Sequence, residues 1–314
     1  MKRTMATALL VMSMLLGATV GPLAGQTPEA ADMRIMAVGD NIGLLFLLTG
    51  GGTPHSLAFG GEDETITLID TKAAGTGSVV LGKVHQGAEG PVTRVIITSP
   101  VRATSVADYG TAAEIVAHEN TKAAMEKMEA FAGKNARFLP NRTFKDTLSF
   151  TVQTVGEEDG TNRIDLHYFG PGSTSGDTVV VFPSLHTVFL GDLFPGKSVP
   201  LIDTANGGSA VALPETLDKA AAGLAAVVPA IRFVLPGRQA PPPGPYVPRW
   251  LMLRDVRDYA EFTHALLASV KESAQADRTV DEAVANLRVP DKFKNYDMSQ
   301  AAAYVQAAYS ELKR

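Results

Sequence analysis

The sequence predicts an α/β fold in which two groups of strands form a layered αββα sandwich, followed by a C-terminal helical extension. Apolar, β-branched runs fall into two groups along the chain, with helical segments between and after them. The composition of the chain changes at residues 238–250, where five prolines predict a stiff loop. Beyond that stretch the apolar residues recur at helical spacing. Two sheets that pack face to face, with helices covering their outer faces, account for this order of elements.

The first group of strands starts after a short polar linker. Gly-rich turns separate its apolar runs, and the Gly50–Gly52 turn has neither the spacing nor the lysine of a phosphate-binding loop. Strands are predicted at 33–39, 43–48, 55–59, 65–70, 93–98 and 113–118, with helices at 75–86 and 119–133.

The second group ends in a helix and a last strand before the proline-rich stretch. Three helices then follow, and Thr279 and Glu282 have capping-box spacing at the start of the middle one. We therefore expect a sandwich over residues 26–247 and a helical extension over 248–314 that packs on it, because three short helices bury little surface alone. Strands are predicted at 147–152, 163–169, 177–183, 186–192 and 230–237, with helices at 214–228, 253–273, 279–287 and 298–312.

The composition limits the chemistry. The chain has 314 residues, no cysteine and a net charge of −5. Thiolate metal ligands and a cysteine nucleophile are therefore excluded, and a chain of this size can bury a core without disulfides. No basic cluster stands out, so a nucleic-acid partner is not expected.

Residues 1–25 have the pattern of a secretory signal peptide. Lys2 and Arg3 precede an apolar run over residues 6–20, and small residues follow near Ala24. An anchoring helix is the alternative, but the run is short for a membrane span. Gln26 stands where a lipoprotein would need cysteine, so we expect a periplasmic or secreted protein with no stable membrane insertion after signal cleavage.

Several segments between residues 35 and 275 resemble the metallo-β-lactamase superfamily. "ETITLIDTKAAG" resembles the family's early strand ending in Asp, here Asp70, and "VTRVIITSP" resembles the strand before its His-x-His-x-Asp-His loop. "IVAHENTKAAM" resembles the segment that commonly follows this loop. The closest match is "LHYFGPGSTSGDTVVVFPSLHTVFLGDLFPGKSVPLID", and "FVLPGRQ" resembles the strand that precedes the last His ligand.

This resemblance implies an αββα sandwich with a binuclear site, usually zinc, whose activated hydroxide attacks an ester, amide, lactone, thioester, phosphate or sulfate ester. Carried over position by position, however, the ligand set is largely missing. Asp192 alone is retained, and one carboxylate cannot hold a catalytic metal against water. Shifting the alignment of the first loop by a residue or two does not supply a ligand, since no histidine lies between His85 and His118. The former metal pocket would be formed by Ser99, Val101, Ala103, Thr104, Ser173, Asp192 and Arg238.

Other residues offer little catalytic chemistry. The six histidines form no metal-ligand pair at His-x-His or His-x-x-x-His spacing, and packing roles are favoured for His118 and His167. Ser99 lies in no G-x-S-x-G elbow, and the resemblance places no histidine beside it as a base.

Two functions remain open. The first is an exported, metal-free pseudo-hydrolase with a binding or assembly role, whose partner is an unknown small molecule or protein and which needs no cofactor. The alternative is a hydrolase acting on an ester, lactone, lactam or phosphoester with an altered site, which would leave the chain an enzyme.

Asp192 poses an electrostatic problem in either case. A carboxylate at a partly buried strand end is costly unless it is paired. We expect Arg238, or failing that Arg102, to pair with it through charge-assisted hydrogen bonds. The alternative is that backbone N–H groups hold Asp192 and both arginines face solvent.

Overall fold

The computed structural model describes residues 33–38, 45–50, 54–60, 65–110, 113–151, 163–228, 230–238 and 251–313. The predicted signal peptide, nearly all of the proline-rich loop and most of the Gly50–Gly52 turn lie outside these residues.

The first sheet has seven strands in chain order. Strands β1 to β4 pair antiparallel, and β4 to β7 pair parallel. The parallel half brings the carboxyl ends of β4, β5 and β6 to one edge, which is where open α/β sheets carry their sites. The strands are β1 (Arg34–Ala37), β2 (Leu45–Thr49), β3 (Ser56–Gly60), β4 (Ile66–Ile69), β5 (Val92–Ile97), β6 (Glu114–His118) and β7 (Arg142–Phe144).

The second sheet has five strands in the order β12-β11-β10-β9-β8. All neighbours pair antiparallel except β11 and β12, which are parallel. The strands are β8 (Thr147–Thr151), β9 (Arg163–His167), β10 (Val179–Phe182), β11 (Thr187–Phe189) and β12 (Phe233–Leu235).

Six α-helices lie in the described ranges. None of them is long and apolar enough to cross a membrane. They are α1 (Gly77–Val84), α2 (Glu119–Met125), α3 (Leu213–Val227), α4 (Leu253–Gln275), α5 (Val280–Ala285) and α6 (Ala301–Leu312).

The prediction of a single helix over 119–133 is wrong for the second half of that range. The α-helix ends at Met125, Met128 adopts extended backbone, and short 3₁₀ turns follow. These turns direct Phe131 and Phe138 into the core on the outer face of the first sheet. The three-residue spacing of Met125, Met128 and Phe131 suits either kind of helix, so periodicity alone did not show the change. Strand β7 was also missed, because "RTF" is too short to show alternation.

Three apolar cores separate four layers. Along β10, Val180 and Phe182 face the first sheet, whereas Val179 and Val181 face the helices on the other side. This alternation is the two-residue period of a strand buried on both faces. The predicted αββα fold class is therefore confirmed: helix α1 covers the first sheet and helices α3 and α4 cover the second.

The C-terminal helices share one continuous core with the second sheet. Tyr259 of α4 packs on Phe194, and Leu266 and Tyr304 belong to the same buried cluster as Val179 of β10. Ser209 and the Ala210 backbone also donate hydrogen bonds to the Glu311 carboxylate of α6, at 2.6 and 2.7 Å. Unfolding of these helices would expose the outer face of the second sheet.

We expect Leu266→Ala to lower the free energy of unfolding of the whole chain by about 2–5 kcal/mol, because it leaves a cavity in this shared core. Urea denaturation followed by circular dichroism in the far and near ultraviolet would measure it. Gln306→Ala, on the exposed face of α6, is the matched control and should change stability little. An early, separate transition of the helices in Leu266→Ala would contradict a shared core.

Candidate functional site

The site lies where β4 and β5 end. Asp70 closes β4 with a φ of 61°, an uncommon backbone for a non-glycine residue, and Asn and Asp tolerate it best. Its carboxylate accepts hydrogen bonds from the backbone N and the Oγ1 of Thr98 at 2.8 and 2.7 Å. The two strand ends are thereby held together, and the chain then enters a 3₁₀ turn over Pro100–Arg102.

Asp192 reaches the same place from the second sheet. It sits in the short 3₁₀ turn Gly191–Leu193 that follows β11 and is 8% exposed. Gly191 has a φ of 54°, and a Cβ there would lie 2.8 Å from the Thr98 Oγ1. Glycine is therefore required for the turn to approach β5 so closely.

Arg102 binds Asp192 with two parallel hydrogen bonds. Its Nε lies 2.6 Å from Oδ2 and its Nη2 lies 2.6 Å from Oδ1. The remaining donors reach the backbone oxygens of His55 and Gly237 at 3.2 and 3.3 Å. Arg102 is only 2% exposed, and its Nε is also 4.0 Å from the Asp70 carboxylate. A buried guanidinium with this many acceptors is both charge-compensated and hydrogen-bonded.

Arg238 adds a second, weaker contact. Its Nε donates to the Asp192 Oδ1 at 3.2 Å, and its side chain is 40% exposed. The expected pairing of Asp192 with an arginine is thus present, but in the reverse order of preference: Arg102 forms the bidentate pair and Arg238 supports it. Burial alone would raise the pKa of Asp192, but the charges and hydrogen bonds of the two arginines hold that pKa below its ordinary value.

Two further carboxyl groups are buried nearby, and their pKa values are raised rather than lowered. Burial raises the pKa of Asp70 to about 6, against the attraction of Arg102 and the hydrogen bonds from Thr98. Burial also raises the pKa of Asp177 to about 7, although Thr174 donates to it through both its backbone N and its Oγ1. Asp177 fixes the tight turn that begins at Ser173, whereas Asp192 faces the arginines.

Lys72 and His55 complete the surroundings, and sequence reasoning missed both. The Lys72 Nζ donates to the Pro54 oxygen at 2.6 Å, and burial lowers the pKa of this lysine to about 7. The His55 Nδ1 lies 2.9 Å from the Pro236 oxygen, and burial lowers the pKa of its ring to about 4. The position of Lys72 two residues after the strand-end Asp70 was the available signal, but nothing in the sequence indicates that its side chain turns inward.

The structure brings only part of the expected pocket together. Ser99 lies with its Oγ 3.3 Å from the Asp192 Oδ2, and Arg238 contacts the same carboxylate. Val101 is exposed and Ala103 packs in the outer core of the first sheet. The other two expected residues use their hydroxyls elsewhere: Thr104 bonds to the Lys72 oxygen at 3.0 Å and Ser173 to the Leu201 oxygen at 2.9 Å.

The donor set does not fit the zinc pair of the resembling family. Zinc needs three or four lone-pair donors at about 2.0–2.3 Å. The Asp192 carboxylate already has both oxygens bound by Arg102, and a guanidinium offers only N–H donors. Within the described ranges no group of three or more His, Asp or Glu residues could hold a metal ion. The Arg102 guanidinium instead occupies both oxygens of Asp192.

Solved structures show which fold this is. The chain superposes on the metallo-β-lactamase IND-7 with a TM-score of 0.57 and 16% identity, over 76% of this chain and 100% of that one. It matches the stereoselective inverting sec-alkylsulfatase Pisa1 from Pseudomonas sp. with a TM-score of 0.61 and 14% identity, over 85% of this chain but only 48% of that enzyme. No protein-family model and no curated protein matches the chain.

The protein therefore has the metallo-β-lactamase fold, as the sequence motifs indicated. It spans about half the length of the sulfatase and the whole length of the lactamase. At these levels of identity the likeness defines the architecture. Within this fold, the strand ends of this chain carry an arginine, Arg102, that faces the buried Asp192.

We expect Arg102→Met to destabilise the protein by about 3–5 kcal/mol, because Asp192 would stay buried with only the weaker contacts from Arg238 and Ser99. Removing both charges in Arg102→Met with Asp192→Leu should recover most of that loss. Chemical denaturation at pH 7 measures both. Arg142→Met is the control, since Arg142 forms a half-exposed ion pair with Glu114 worth at most about 1 kcal/mol. A single variant no less stable than this control would show that the buried pair is not needed.

Lys72 should give stability a distinct pH dependence. Its pKa falls from the ordinary lysine value of 10.5 to about 7 in the folded chain, which therefore prefers the neutral amine. The contribution of Lys72 to the free energy of unfolding is fully present above pH 10.5 and is lost as the pH falls toward 7. Between these limits the difference in unfolding free energy between wild type and Lys72→Met should change by up to about 1.4 kcal/mol per pH unit.

Denaturation curves at intervals from about pH 7 to 10 would measure this slope. Lys127→Met, on an exposed position, is the matched control and should show no such slope. Equal pH dependence of both variants would mean that Lys72 is solvated as a charged group.

Proposed function

We propose that this protein is a metal-independent member of the metallo-β-lactamase fold, exported from the cell, that acts by binding rather than by hydrolysis. The observation that carries the proposal is the Arg102 guanidinium, buried and bidentate on Asp192. This carboxylate corresponds to the bridging metal ligand in the resembling family.

A guanidinium cannot supply the chemistry that the metal supplies. It keeps its proton at every physiological pH, has no lone pair to offer and no open coordination position. It therefore cannot bind a water molecule as a Lewis acid and lower the pKa of that water toward neutrality. What it can do is neutralise Asp192 and hold β5, β11 and β12 in their relative positions.

Export is supported by the sequence of residues 1–25. A positive start, an apolar run and small residues at the end form the pattern that secretion systems recognise. The lack of cysteine is compatible with an oxidising compartment, because no thiol can mispair there. A periplasmic or secreted location follows from this pattern.

A hydrolase with an altered site is the second candidate, and the Ser99 hydroxyl is the observation that favours it. Its Oγ lies 3.3 Å from the Asp192 Oδ2. A serine nucleophile needs a base that accepts its proton, yet the arginines lower the pKa of Asp192 and occupy its oxygens. Ser99 is also only 1% exposed, so a substrate carbonyl could not approach it without a rearrangement.

Metal analysis of the purified full chain tests the proposal. We expect well under one zinc per chain after dialysis against micromolar zinc, and no turnover of β-lactams, lactones or phosphoesters above background. Asp192→Asn should leave the metal content unchanged. Asp218→Asn, at an exposed position, controls for zinc that binds at the surface.

Stoichiometric zinc that is lost in Asp192→Asn but kept in Asp218→Asn would overturn the proposal. Metal-free turnover that disappears in Ser99→Ala would instead establish the second candidate.

A further inference from the structure

A cleft of about 440 Å³ opens beside the Arg238 side chain. Its walls come from residues 195–199 and Leu201, from Arg238 and Leu251, and from Asp297 and Gln300 near the start of α6. A volume of this size suits a small organic molecule. The cleft therefore lies between the loops of the sandwich and the helical extension, next to Arg238.

The backbone around the cleft is firmly held. Val199 N donates to the Asp297 oxygen and Asp297 N to the Lys197 oxygen, both at 2.9 Å. On the other side Arg238 N donates to the Pro195 oxygen at 3.1 Å, and a Cβ on Gly196 would lie 2.7 Å from the Arg238 oxygen. The walls are thus preformed, which reduces the entropy cost of binding.

Arg238 is not required to neutralise Asp192. Arg102 already engages both oxygens of that carboxylate at 2.6 Å, whereas Arg238 adds one contact at 3.2 Å. This contact uses Nε and fixes the plane of the guanidinium. Among the residues that the structure describes, no hydrogen-bond partner is found for the two Nη groups of Arg238, and the side chain is 40% exposed. The paired donors needed to bind a second carboxylate are therefore present on a residue that lines the cleft.

The other charges of the cleft favour a ligand with a single negative charge. Lys197 adds a half-exposed ammonium, whose Nζ is 3.8 Å from the Asp255 Oδ1. Asp297 is the acid of the lining, and its Oδ1 accepts a hydrogen bond from Ser299 N at 2.8 Å. The lining holds two cations and one acid, and Asp255 lies beside Lys197 outside it, so at most one positive charge is uncompensated. A monoanion matches this charge, and a dianion would meet repulsion from Asp297.

The remaining wall is apolar. Val199, Leu201 and Leu251 line the cleft, and Leu201 is 37% exposed at its mouth. Leu201 is one of the three large hydrophobic residues that are exposed in the described part of the chain. Exposed apolar surface around a preformed cleft marks a surface that a ligand covers.

We propose that this cleft binds a small organic carboxylate with an apolar body. The carboxylate is held by the Nη groups of Arg238 with the help of Lys197, and the apolar body lies along Leu201 and Leu251. The inference deepens the proposed binding function and rests on it, because it uses a guanidinium that a metal site would displace.

Isothermal titration calorimetry of the full chain with butyrate, hexanoate and octanoate tests this assignment, with hexylamine and hexyl phosphate as probes of the same shape and different charge. We expect saturable binding of the carboxylates that tightens roughly fourfold for each methylene buried. Hexylamine should not bind, and hexyl phosphate should bind more weakly than hexanoate. Arg238→Gln should weaken hexanoate at least tenfold, and Leu201→Ser should reduce the chain-length dependence.

Arg257→Gln removes an exposed arginine of α4 outside the cleft and should leave the affinity unchanged. Thermal unfolding of each variant establishes that it is folded before titration. Equal affinity for hexylamine, tighter binding of hexyl phosphate, or an unchanged affinity in folded Arg238→Gln would each overturn the carboxylate assignment.

Lack of carboxylate binding by a metal-free protein would refute this inference and leave the proposed function standing. Stoichiometric zinc at Asp192 would refute the proposed function, whatever the result of the titration.

Discussion

The buried ion pair between Arg102 and Asp192 is the interaction around which the strand ends of this protein are arranged. Both side chains are removed from water, and two charge-assisted hydrogen bonds of 2.6 Å compensate that loss. The same guanidinium binds the backbone oxygens of His55 and Gly237, which belong to different segments of the chain. One side chain thereby connects the ends of strands from both sheets.

The neighbouring titratable groups show how the ion pair is accommodated in a buried site. Burial favours the neutral forms of Asp70, His55 and Lys72, and it moves the pKa of each accordingly. Asp192 alone among these groups has its pKa shifted toward the charged form, because two arginines face it. The fixed charges are therefore concentrated in one network, while the surrounding titratable groups lower the cost of burial by shifting toward neutrality. Arg238, at the edge of this network, connects it to the solvent-facing cleft.

Much of the architecture could be predicted because the patterns that specify it are local. The continuous apolar runs of β5 and β10 indicate buried strands, and the glycines before Asp177 and Asp192 mark tight turns. The shortening of α2 at Met125 could not be predicted, since the following residues keep a helix-compatible spacing. Only the core beneath Phe131 and Phe138 decides that the chain turns there.

For the site, the sequence by itself determined which residue types are available: by resemblance to the metallo-β-lactamase family, hydroxyl and apolar residues stand where that family has ligands, and Asp192 and two arginines are present. Tertiary structure decided which arginine pairs with Asp192, because the 3₁₀ turn over Pro100–Arg102 directs Arg102 inward and leaves Val101 exposed. It also decided that Ala103, Thr104 and Ser173 do not contact that carboxylate. The direction of a side chain in an irregular loop depends on backbone angles and on the surfaces packed against it, and neither is encoded in residue type or spacing.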